Sequence, residues 1–192
     1  LKGKGGRGLP ETPLGKSQDP TWRITPQYWV AADEVESRLA PFTKNRWLIA
    51  FRDVTSAKLE RSAVFTFIPI AAVGHKAPLL FVSRQLRAEM ELCLVANLNS
   101  MVFDFVTRQK LGGTSLSYFI LKQLPVLLPS FYRPADVAYV GARVLELVFT
   151  ADDMQPLADA LRAGASPLAA TVPRAPYRWD EARRALLRDR KS

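Results

Sequence analysis

Apolar residues recur at every second position in the first half of this chain and at every third or fourth position in the second half. At residues 47–52, Trp47, Ile49 and Phe51 alternate with Leu48, Ala50 and Arg52. At 61–68, Ala63, Phe65 and Phe67 alternate with Val64, Thr66 and Ile68. A period of two carried by β-branched and aromatic residues predicts two antiparallel strands, joined here by the polar loop 53–60. A third short strand is expected at 79–82, after the loop 74–78. From Leu86 the spacing turns helical. Leu86, Met90, Cys93, Leu94 and Asn97 share one stripe, and Leu98, Met101, Val102 and Phe105 continue it. Strands first and helices after argue an α+β fold: a small antiparallel twisted sheet in the N-terminal half, packed with helices from the C-terminal half.

The polar stretch 97–100 divides the long stripe into two helices, with Asn99 or Ser100 capping the second. Gly112 and Gly113 end that helix. Residues 114–121 fit either strand or helix, and Pro125 and Pro129 bracket an extended apolar run at 126–128. A short helix is expected at 33–39, stopped by Pro41. Another is expected at 137–149, with Val137, Val140, Val144, Leu147 and Val148 at helical spacing. Thr150 and Asp153 resemble a capping box that opens a further helix. The segment 179–190 starts acidic and ends basic, as a helix macrodipole favours. Trp179, Ala182 and Leu186 form its apolar face, and Arg184, Arg188 and Lys191 a basic one. The expected layout is therefore a flexible basic Gly/Pro linker at 1–20, the main domain at 21–162, an Ala/Pro-rich connector at 163–177 and a C-terminal basic helix at 178–192. The chain opens without Met or an apolar signal region, so it is expected to be an internal piece of a longer protein.

Composition narrows the chemistry. The 192 residues suffice for one domain with a real core. Lys and Arg number 27 against 18 acids, a net charge of +9, which favours a polyanionic partner, nucleic acid before membrane. The longest stretch free of charged side chains, 62–75, is broken by Pro69 and Gly74 and is too short to span a bilayer. One cysteine excludes an internal disulfide, and one histidine leaves too few ligands for a zinc site. Cys93 lies on an apolar stripe, as a small buried hydrophobe does. Asp152 and Asp153 suit a helix N-terminus better than a magnesium ion. Gly3, Gly5 and Gly8 match a dinucleotide fingerprint without a preceding strand, and Gly15-Lys16-Ser17 resembles the end of a phosphate-binding loop with Pro10 in place of its first glycine. Both are expected to be linker. No self-contained active site, metal site or cofactor site is expected in this chain.

Between Lys44 and Pro125, eleven basic residues stand against five acids. Arg46, Arg52, Lys58, Arg61, Lys76, Arg108, Lys110 and Lys122 fall at element ends, where loops present charge above a sheet. In residues 108–115 a helix end supplies two cations, two glycines allow close backbone approach, and the Thr114 and Ser115 hydroxyls follow; these are suitable phosphate donors. Arg52, Arg61, His75 and Lys76 lie in or beside loops within reach of base edges. The expected duplex-DNA contacts are Arg52, Lys58, Arg61, His75, Lys76, Arg108, Lys110, Gly112, Gly113, Thr114 and Lys122. Two rival readings are a protein-interaction module docking a partner subunit through the apolar helices 137–149 and 154–161, and a small nuclease built on Asp53, Glu60 and Asp104.

The run at 94–125, LVANLNSMVFDFVTRQKLGGTSLSYFILKQLP, resembles the target-recognition region of large bacterial N6-adenine DNA methyltransferases, the type IIG restriction-modification and phage-defence enzymes. Residues 23–29, 51–56 with Glu60 and Arg61, 73–79, 144–156 and 177–187 resemble other pieces of that region in the same order. The likeness spans roughly 22–190, and the order of the pieces carries it. It implies a bacterial cytoplasmic protein, double-stranded DNA as partner, and a methyltransferase domain elsewhere in the same parent chain that holds S-adenosylmethionine. The family's Asn-Pro-Pro-Tyr-type catalytic motif has no counterpart here, since this chain contains no Pro-Pro dipeptide. Adenine-specific methyl transfer, with or without endonuclease activity, would belong to the parent. The resemblance implies that Asn99, Ser100, Asp104, Arg108, Gly112, Gly113 and the run Gln123-Leu124-Pro125 belong to the shared framework.

Overall fold

The structure, a computed structural model, describes residues 12–26, 28–82 and 86–189. Three antiparallel strands form the sheet in the order β2-β1-β3: β1 is Trp47–Phe51, β2 is Phe65–Pro69 and β3 is Leu79–Leu80. The register sets Trp47 opposite Pro69, Ile49 opposite Phe67 and Phe51 opposite Phe65. As the central strand, β1 is buried on both faces. Trp47, Ile49 and Phe51 point to the helices, while Leu48 lines a hollow with Phe42 and Phe81, whose rings stack 5.0 Å apart.

Among the described residues, eight helices accompany the sheet. They are α1 (Leu14–Ser17), α2 (Ala32–Leu39), α3 (Ala88–Leu98), α4 (Met101–Lys110), α5 (Tyr118–Leu121), α6 (Pro134–Val148), α7 (Gln155–Ala163) and α8 (Glu181–Asp189). Of these, α3 to α7 supply the side chains packed on the sheet. The fold is α+β, as the change of period predicts. Two clusters of buried side chains divide the covered face. Trp47, Ile49 and Phe67 pack with Leu92 and Val95 of α3, Leu145 of α6 and Leu157 and Leu161 of α7. Phe51 and Phe65 pack with Leu98, Phe103, Leu116 and Leu121. Among the described residues, no single helix is long and apolar enough to cross a membrane.

Several elements depart from the periodicity for identifiable reasons. β2 begins at Phe65 because the N–H groups of Ser62 and Ala63 donate to the Asp104 carboxylate, at 2.8 Å each, instead of extending the ladder. Of the two capping residues expected at the α3–α4 break, Ser100 caps α4, accepting the Phe103 N–H at 3.1 Å. Asn99 does a different job. Its side-chain amide accepts the Phe65 N–H (3.0 Å) and donates to the Phe65 carbonyl (2.9 Å), standing in for a neighbouring strand. The stripe from α3 does not continue inward along α4. Phe103, Asp104 and Thr107 are buried there, and Met101, Val102 and Phe105 face outward.

Thr150 caps nothing, since Ala151 takes the capping position and a 3-10 turn, Asp152–Met154, precedes α7. Residues 114–121 split into a bridge between Ser115 and Val54 followed by the single turn of α5. The run 126–128 is solvent-exposed. The Ala/Pro-rich stretch 163–177 lies against the body: Leu168 and Val172 are core residues, and the Tyr177 N–H donates to the Phe149 carbonyl at 2.8 Å. On α8, Ala182 and Leu186 are exposed, and the docking side is basic. Arg183 pairs with Glu146 of α6 through both nitrogen–oxygen contacts (2.6 and 2.8 Å), while Arg184 donates to the Leu147 carbonyl and lies over the Trp179 ring. The glycine fingerprint at 3–8 lies outside the described residues. Gly15, Lys16 and Ser17 form α1, and nearby Gln18 donates to the Trp179 carbonyl.

Candidate nucleic-acid interface

Two buried or half-buried carboxylates organise the loops at one end of the sheet. Asp53 follows β1. Its backbone N–H donates to the Lys76 carbonyl (3.2 Å) and its carbonyl accepts the Leu116 N–H (2.8 Å). The neighbouring Thr55 N–H donates to the Thr114 carbonyl at 3.0 Å. The Asp53 side chain then ties the same three loops, accepting the Ser115 hydroxyl and the Lys76 ammonium, the latter at 3.1 Å. The Ser115 hydroxyl first, and Lys76 with it, hold the Asp53 carboxyl below the ordinary aspartate range. Loops 53–60, 74–78 and 112–115 therefore meet at one junction, bringing His75, Lys76 and Thr114 together.

Asp104 is the second organiser. Burial alone would raise its pKa, but the Ala63 N–H, the Arg108 guanidinium and the Ser62 N–H outweigh that and hold the carboxyl low. Arg108 bonds Asp104 Oδ2 at 2.8 Å, the Ala57 carbonyl at 3.1 Å and the Glu60 carbonyl. Arg61 donates to the Asn99 carbonyl, approaches Met101 Sδ at 3.0 Å and lies 3.9 Å from Asp104 Oδ1. Arg52 turns inward to the Arg61 carbonyl and to Thr55 Oγ1.

These bonds separate the expected contact residues into two groups by their partners within the chain. Of the arginines expected to touch bases or phosphates, Arg61 and Arg108 join the 52–63 loop to α4, while Arg52 bonds only within that loop through Nη2 and leaves its buried Nε without a partner. A guanidinium that satisfies several carbonyls at a loop is committed by geometry. Lys58, His75, Lys76, Lys110, Gly112, Gly113, Thr114 and Lys122 are exposed. Gly112 and Gly113 have no heavy atom within 4 Å of the place a Cβ would occupy, and neither backbone lies in the left-handed region. The fold itself does not demand glycine at either position.

The rival sites fare differently. The apolar faces of α6 and α7 are spent on the core, through Val137, Val144 and Leu145 and through Leu157, Ala158 and Leu161. Among the described residues, no three His, Cys, Asp or Glu side chains gather as a metal site, so Asp53, Glu60 and Asp104 do not form one. Cys93 is buried, and burial first, with the Glu89 and Asp136 carboxylates, pushes its thiol up to about 11, which removes it as a nucleophile at neutral pH. Asn99, Ser115 and Asp53 were not marked by sequence as organisers of the site; short polar residues beside strand ends carry that role without any distinctive spacing. Comparisons of the chain with protein-family models, curated proteins and solved structures give no match.

Proposed function

We propose that this chain is a recognition module for duplex DNA, which reads a target sequence and positions an adenine for a methyltransferase domain in the same parent chain. The observation that supports this most directly is the Asp53 junction, which gathers His75, Lys76 and Thr114 from three loops at one end of the sheet. Lys58 and Lys110 stand in the segments that lead into it. Phosphate contacts through exposed lysines and open backbone at Gly112 and Gly113 fix register, and base contacts from the loops discriminate. Arg52, Arg61 and Arg108 act as positioning residues for loop 53–60. Methyl transfer, the binding of S-adenosylmethionine and the pocket for a flipped adenine belong to the catalytic domain, in a bacterial cytoplasmic enzyme.

The test is selection from a randomised duplex pool by the 192-residue chain at low and moderate salt, followed by sequencing. The proposal expects a short enriched motif whose retention falls steeply as salt rises. Retention without a motif, or no retention, overturns it.

A further inference from the structure

The outward face of α4 departs from the hydrophobic pattern of a helix packed on a core. Met101, Val102 and Phe105 are 71%, 74% and 62% exposed. Their spacing of one and three residues sets them on a single stripe, with exposed Gln109 a turn further on. Scattered apolar residues on a surface need no explanation, but three large ones side by side on one short helix do. Nothing in the fold requires them to be apolar, because α4 is already anchored through Phe103, Asp104 and Thr107.

Charge around the stripe indicates what covers it. The single acid of α4, Asp104, is buried, so the exposed face of the helix carries no negative group. Arg61 reaches Met101 Sδ at the N-terminal end, and Lys110 is exposed at the C-terminal end. Loop 57–60, with exposed Lys58, runs beside the helix because Arg108 binds the carbonyls of Ala57 and Glu60. From Lys110 the chain passes directly into the Gly112–Thr114 loop of the Asp53 junction. An apolar stripe without an acid of its own, flanked by Arg61, Lys58 and Lys110 against the one exposed acid of the adjoining loop, Glu60, is complementary to a duplex, whose charge lies on the rims of its grooves and whose apolar thymine methyls and base steps lie within them.

We propose that α4 is laid against the bases beside the junction loops, with Met101, Val102 and Phe105 adding apolar contact to thymine methyls or to an opened base step. Lys58 and Lys110 grip the flanking phosphates. This rests on the DNA-reading proposal above and names the specificity-determining side chains within it. The side chains of the stripe are solvated, so removing them leaves the folded chain intact.

The test compares the complete chain with the double variant Val102→Ala, Phe105→Ala and with the charge variant Lys110→Ala. Each is titrated with the duplex selected by the wild type and with an unselected duplex of equal length. Thermal unfolding is followed alongside and is expected to be unchanged. The double variant is expected to lose about tenfold or more in affinity for the selected duplex, with less than about a threefold change on the unselected one. Lys110→Ala is expected to weaken both duplexes alike. A double variant that binds the selected duplex as tightly as the wild type overturns the α4 assignment alone. A wild type that enriches no sequence overturns the DNA-reading proposal and this one together.

Discussion

At Asp104 one carboxylate accepts two backbone N–H groups and a guanidinium while it is almost wholly buried. Asp104→Ala strands those donors in the interior and is expected to cost about 3 kcal/mol or more, measured by urea unfolding. The same bonds set a pH dependence. Because the folded carboxyl is depressed, its contribution is complete above the unfolded value of about 3.9 and is lost as pH falls through the lower folded value. Glu91 behaves in the opposite sense. Burial raises its pKa against the bonds from Trp47 Nε1 (2.7 Å) and Asn45 Nδ2 (2.9 Å). The folded state then holds the proton more tightly than the unfolded chain, so stability falls as pH rises from about 4.3. Glu91→Gln keeps an acceptor for Trp47 and removes the charge. It is expected to be at least as stable as the wild type at pH 8, with its advantage shrinking toward pH 4 in unfolding measurements.

Within the elements, α6 has a position where helix propensity and packing disagree. A Cβ on Gly141 would stand 2.5 Å from Leu168 Cδ1, and Leu168 is itself only 1% exposed, so it has no room to yield. Gly141→Ala gains about 1 kcal/mol of propensity. It is nevertheless expected to destabilise by about 1–3 kcal/mol through overpacking, seen as a lower unfolding midpoint. This close approach is also why residues 163–177 pack as part of the body, although their Ala and Pro content suggests a spacer. Periodicity was enough to locate β1, β2, α3, α4 and α6, since each carries a repeat that only one backbone geometry satisfies. It failed for the rotation of α4. Phe103 and Phe105 are equally apolar, and an acid such as Asp104 is assigned outward by any local pattern. Only its bonds to Ser62 and Ala63, remote in sequence, turn it inward.

For the molecule as a whole, the net charge of +9 gives long-range attraction to a polyanion, but the bonds of individual cations decide which of them act. Lys58→Ala, Lys110→Ala and Lys122→Ala are each expected to lower the slope of log affinity against log salt by about 1. All three should leave the unfolding midpoint in place. Arg61→Ala should do the reverse, lowering stability first, because its guanidinium joins loop 52–63 to the start of α4. Sequence reading found the cations of the candidate site but not this division. Arginine and lysine look alike in a charge count, and only the carbonyls within reach show which are committed.

Residues 18–23 lie against two distant parts of the chain. Gln18 donates to the Trp179 carbonyl, the Asp152 N–H donates to the Pro20 carbonyl, and Arg23 lies 3.7 Å from Asp153. The Gln18–Trp179 bond spans 161 positions of the chain, so loosening either segment loosens the seat of the other on the body.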